Sequence, residues 1–106
     1  MGIETIIQFI AKTTIRVIAF VYNDAGALVS PTTSIKVTIT DPDGTVKVNA
    51  VAMTLIAAGE YVGGYDYYYK TDTTLVKGWW PGEVVIIDGV TPDDRTSMGT
   101  FGFELK

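Results

Sequence analysis

A chain of 106 residues, 47% hydrophobic and 19% charged, is long enough for one packed core and too apolar for a disordered tail. Its formal net charge of −4, with the lysines and arginines scattered, argues against nucleic acid as a ligand and against adsorption to anionic membranes. The lack of cysteine and histidine removes disulfides, thiol nucleophiles, imidazole chemistry and ordinary zinc sites.

The first segment, Ile3 to Ile10, places Ile3, Ile6, Ile7 and Ile10 at helical spacing, but its β-branched content favours a strand. Residues 1–11 are therefore expected to form an N-terminal arm or an edge strand. Glu4, Lys12 and Arg16 interrupt the apolar run, so neither a secretory signal nor a membrane-spanning helix is expected, and Ile6 breaks the myristoylation pattern.

Thr14 to Tyr22 reads as a strand with Ile15, Val17, Ala19 and Val21 on one face and Arg16, Ile18, Phe20 and Tyr22 on the other. Asn23-Asp24-Ala25-Gly26 supplies turn residues. Ser34 to Thr40 alternates cleanly, with Ile35, Val37 and Ile39 against Lys36, Thr38 and Thr40. Asp41-Pro42-Asp43-Gly44 predicts a tight turn, because proline presets φ and glycine accepts a positive one.

Thr45 to Thr54 should return antiparallel, and Ala57-Ala58-Gly59 marks a bend. Glu60 to Lys70 then reads as a tyrosine-rich strand, and Thr71 to Gly78 as a polar loop. Trp79 to Asp88 is a further strand, interrupted near its start by Pro81-Gly82. A loop over Val90 to Ser97 leads into Gly99 to Lys106, where Phe101, Phe103 and Leu105 alternate. Seven or so short strands, turns every eight to twelve residues and no sustained helix predict one all-β antiparallel sandwich spanning residues 1–106.

The motif order Val21-Tyr22-Asn23-Asp24-Ala25-Gly26, Ile35 through Thr45, Gly59-Glu60-Tyr61, Gly78-Trp79-Trp80 and Phe101-Gly102-Phe103 resembles the immunoglobulin-like domains of microbial and viral proteins. The resemblance implies an immunoglobulin-like β-sandwich with Tyr61 near a corner and a core tryptophan on a late strand. It departs from antibody domains in lacking the inter-sheet cysteine pair. Domains of this kind serve as spacers, adhesion units or virion components, so fold alone leaves the function open.

Carboxylates are the only acid–base groups in quantity. Asp41 and Asp43, Asp93 and Asp94, Asp24, Asp88 and Glu83 all read as turn and loop acids rather than a catalytic pair across a cleft. Asp-Pro-Asp-Gly lacks the extended ligand spacing of a calcium loop. No catalytic residue, metal ligand or cofactor is expected.

Aromatic residues are denser. Alternation puts Tyr61, Gly63, Tyr65, Tyr67 and Tyr69 on one face, expected in the core with hydroxyls at its rim. The alternative is an aromatic platform for sugar rings, built from Tyr68 with Trp79 or Trp80.

An apolar surplus carries the functional expectation. An isolated sandwich strand should be apolar inside and polar outside, yet Ile18, Phe20 and Tyr22 occupy the second face of their strand. If Trp80, Val84 and Ile86 point inward, Trp79, Val85 and Ile87 point out. Exposed apolar patches mark partner contacts, so Ile18, Phe20, Tyr22, Tyr68, Trp79, Val85 and Ile87 are the expected partner-binding residues. The expected function is a non-catalytic structural protein packing against copies of itself or against capsid or tail proteins in a virion assembled in the host cytoplasm. An adhesion, spacer or carbohydrate-binding module at the cell surface is the alternative.

Overall fold

The computed structural model describes residues 2–11, 14–23, 25–29, 34–70, 77–88 and 95–105. They form eight strands: β1 (Gly2–Ala11), β2 (Thr14–Tyr22), β3 (Ser34–Thr40), β4 (Val46–Ala52), β5 (Thr54–Leu55), β6 (Tyr65–Lys70), β7 (Gly78–Asp88) and β8 (Arg95–Leu105). Two four-stranded antiparallel sheets result, ordered β1-β2-β6-β5 and β4-β3-β7-β8. With β4 taken as the added strand C′ and the others lettered A to G in chain order, this is the ABED sheet facing a CFG sheet extended by one strand, the immunoglobulin-type connectivity. The thinnest dimension, 18 Å, accommodates two sheets packed about 10 Å apart.

Alternation fills the space between the sheets. Ile15, Val17, Ala19 and Val21 of β2 meet Ile35, Val37 and Ile39 of β3 and Trp80, Val84 and Ile86 of β7 in one buried cluster. Tyr65, Tyr67 and Tyr69 pack against it from β6, half-buried, as their spacing predicts. Trp80, only 2% exposed, stacks on Phe103 at 5.7 Å between centroids and lies 6.1 Å from Tyr69. The core tryptophan on a late strand is thus present.

Several boundaries differ from the sequence reading. Glu60 to Gly64 is not strand: Gly59 and Gly63 take positive φ, and the chain turns there before β6 begins at Tyr65. Tyr61 sits in this turn and packs with Phe20, not with the inward tyrosines. β7 runs unbroken through Pro81-Gly82, since the last β3 pairing is Ile39 with Gly82 and Pro81 lies one residue beyond it. β8 begins at Arg95, so Arg95 to Ser97 are ladder residues opposite Ile86 to Asp88. Of the expected loops Thr71 to Gly78 and Val90 to Ser97, residues 71–76 and 90–94 lie outside the described residues, as do Asp24, Asp93 and Asp94, and Gly78 already opens β7.

The predicted turn is built as its residues require. Gly44 has φ of 89°, and its N–H donates to the Asp41 carbonyl at 3.1 Å. The buried Asp41 carboxylate accepts from the N–H groups of Asp43 at 2.9 Å and Thr45 at 2.8 Å. Removing that carboxylate strands two backbone donors. Asp41→Ala should therefore cost about 1–3 kcal/mol, whereas Asp41→Asn, which keeps an acceptor, should recover most of it. Urea denaturation midpoints decide the point, and equal loss in both variants would refute this account of the turn.

Candidate interaction surface

The two outer faces of the sandwich differ in what lies over them. On the β1-β2-β6-β5 sheet, Ile18 and Phe20 point outward as expected but are not available to a partner: Ile18 is fully buried and Phe20 is 9% exposed. The segment between β5 and β6 folds back over them. Ile56 and Tyr61 close a second apolar cluster with Ile18, Phe20, Ile6 and Tyr22. The fold-back is tied by Ile56 N–H donating to Gly64 O at 2.8 Å and Gly63 N–H donating to Ile56 O at 3.1 Å. Gly64 is needed for close approach, because a Cβ there would lie 2.9 Å from the Phe20 ring.

A polar clamp holds the same segment. Arg16 donates to one Asp66 oxygen from Nε at 3.0 Å and from Nη2 at 2.8 Å, both side chains being largely buried. Its guanidinium lies 5.7 Å from the Tyr61 ring centre and 5.4 Å from that of Tyr68. Gln8 Nε2 donates to the Tyr61 hydroxyl at 3.1 Å. Tyr68 is exposed, yet one side of its ring is engaged by Arg16. Of the expected partner-binding residues on this sheet, Ile18, Phe20 and half-buried Tyr22 therefore belong to an internal cluster, and Tyr68 flanks its clamp.

On the β4-β3-β7-β8 sheet, register sets Trp79, Pro81, Glu83, Val85 and Ile87 of β7 along the middle of the outer face. Lys36, Thr38 and Ser34 flank this row from β3, and Thr96, Met98, Thr100, Gly102 and Glu104 from β8. Trp79 is 57% exposed and Met98 60%, with Val85 and Ile87 half-buried. Among the described residues neither hydrophobic cluster includes any of these side chains.

The Trp79 indole is held against the sheet. A Cβ on Gly102 would fall 2.1 Å from its Cζ2, so glycine at that position lets the ring lie on the β8 backbone with its other face outward. On the inner face the same device recurs, where a Cβ on Gly82 would meet the Phe101 ring at 2.2 Å. An open groove of about 830 Å³ runs beside the indole, lined by Thr38, Thr40, Val46, Pro81, Glu83 and Thr100 among others.

Tyr68 and Trp79 stand on opposite outer faces and Trp80 is in the core, so the expected aromatic platform of Tyr68 with a tryptophan does not form. Among the described residues no group of three acidic side chains converges as a metal site, and no helix is long and apolar enough to cross a membrane. Asp41 and Asp66 are committed to the turn and to Arg16. Comparison with known proteins finds no family model, no curated protein and no solved structure that matches this chain, so the likeness to immunoglobulin-type sandwiches is one of strand connectivity.

Sequence reasoning missed the fold-back over Ile18 and Phe20, although Gly63-Gly64 within the tyrosine run was a signal for it. If that segment is moored by Phe20, Phe20→Ala should cost about 3–5 kcal/mol. Amide exchange at Ile56, Gly63 and Gly64 should also accelerate more than exchange in β3 and β7. Uniform acceleration across the chain would contradict a local mooring role.

Proposed function

We propose that this chain is a non-catalytic structural domain that packs into a larger protein assembly through the outer face of its β4-β3-β7-β8 sheet. The observation that carries the reading is the row Trp79, Pro81, Val85 and Ile87 with Met98 beside it, apolar and outside both hydrophobic clusters of the described residues. Contiguous apolar patches on a soluble surface mark partner contacts.

Size supports it. Four strands at about 4.8 Å and the span from Trp79 to Ile87 at about 3.4 Å per residue give a face of about 19 by 27 Å. That is about 500 Å² in projection, enough for the central part of a standard interface of roughly 800 Å² per partner. A virion, as the sequence resemblance suggests, is the setting we favour for such an assembly.

Lysines in the row test the reading without touching the core. Val85→Lys with Met98→Lys, which line up beside Lys36, should still fold, with a stability loss of about 1–2 kcal/mol that urea denaturation measures. The double variant should fail to enter the native particle at wild-type stoichiometry, while Tyr68→Ala on the opposite face enters normally. Incorporation of the double lysine variant at the wild-type level would remove this face as the interface.

A further inference from the structure

The groove beside Trp79 has an electrostatic character that specifies its occupant further, on the reading that this face meets a protein. Glu104 stands directly across the ladder from Trp79, and Glu83 lies four residues along β7 on the same face. The Glu83 carboxylate lines the groove beside the indole. The residues lining the groove include neither lysine nor arginine. Neither of the ion pairs Arg16–Asp66 and Lys47–Asp41 involves Glu83. Lys36 stands beside Val85 at the next outward-facing position above Glu83, and exposed Lys77 lies two residues before Trp79 in the chain.

We infer that the Trp79 groove receives a basic side chain, arginine or lysine, of the protein partner. An indole face carries a negative quadrupole that attracts a cation laid over it, best where water is excluded. Because Gly102 carries no Cβ, the ring lies close on the β8 backbone and leaves its other side exposed. A planar guanidinium stacks on such a face while its stem covers Pro81 and Val46, and Glu83 accepts hydrogen bonds from it. The chain's net charge of −4 favours encounter with a basic surface over an acidic one.

The two tryptophans make the test self-controlled. The full chain, labelled with ¹⁵N, gives one indole signal from exposed Trp79 and one from buried Trp80. The probe is a capped pentapeptide with two arginines between glycines, and the control replaces each arginine with neutral citrulline. At low salt the arginine peptide should move the Trp79 signal and the amides of Thr100 and Gly102, leave Trp80 in place, and exceed the citrulline peptide. Glu83→Gln should weaken the effect by about threefold or more, and Trp79→Ala should abolish it at Thr100.

Equal shifts with both peptides, or none, would overturn the inference. So would a neutral oligosaccharide such as cellohexaose moving the Trp79 signal where the arginine peptide does not. A Trp79 shift driven by protein concentration alone, with no response to the arginine peptide, would place a second copy on the face; it would overturn the basic-side-chain inference and leave the assembly reading standing. Conversely, an arginine response in a protein whose Val85→Lys/Met98→Lys variant still enters the particle would sink the assembly reading alone.

Discussion

The stacking of Trp80 on Phe103 sets the phase of the molecule. Trp79 and Trp80 are neighbours on one strand, and successive strand residues face opposite ways, so burying one ring turns the other outward. The β7–β8 ladder runs from Gly78–Leu105 to Asp88–Arg95 without a shift in register. That phase therefore propagates to the far end: Val84 and Ile86 enter the core, and Val85 and Ile87 stay outside it. A slip of one residue would bury Glu83 and expose Val84, which the cost of burying an unpaired charge forbids.

Side-chain period makes much of this legible in the amino-acid sequence. Ile15 through Val21, Ile35 through Ile39 and Phe101 through Leu105 announce their inward faces, and Asp41 through Gly44 announces its turn. What period cannot express is whether something else covers the opposite face. Ile18 and Phe20 do point away from the inter-sheet core, yet the residues from Ile56 to Gly64 form a small second core above them. Glu60 through Gly64 reads as strand because Tyr61 extends the alternation of Tyr65, Tyr67 and Tyr69. Arg95 to Ser97 read as loop because their side chains are polar, and only the partner strand β7 reveals their place in the ladder. The Trp79–Gly102 contact joins residues 23 apart in sequence and needs the register to be seen.

The edges bear on how such a domain associates. β1 and β8, the edges on one side, are held together: Thr5 Oγ1 donates to the Thr100 carbonyl at 3.2 Å, Ile3 packs on Gly99, and Phe9 meets Phe103 edge-on at 6.4 Å. The segment Ile3 to Ile10 is thus paired with the chain's own β2, not projecting as an arm. On the other side β5 is only two residues long, and β4 breaks register twice against β3. Ala50 there takes a positive φ of 49°, strained for a residue with a Cβ, with its N–H donating to Thr38 Oγ1 at 3.1 Å. Short and bulged edges resist strand addition. β5 pairs only with Tyr65 and Asp66, so among the described residues β6 has no ladder partner on that side from Tyr67 to Lys70.

A face that packs must also reckon with Glu83, which interrupts the apolar row between Pro81 and Val85. Covering a carboxylate with apolar surface costs several kcal/mol unless a cation and hydrogen-bond donors replace its water. A partner that buries Val85 and Ile87 while leaving Glu83 unanswered forfeits most of what the apolar contact contributes. A partner that answers it gains register along the strand as well as affinity, because an ion pair fixes position where a hydrophobic stripe tolerates sliding. On the proposed reading, the hydrophobic residues of β7 would provide the reason to associate, and Glu83 with the Trp79 ring would limit with whom.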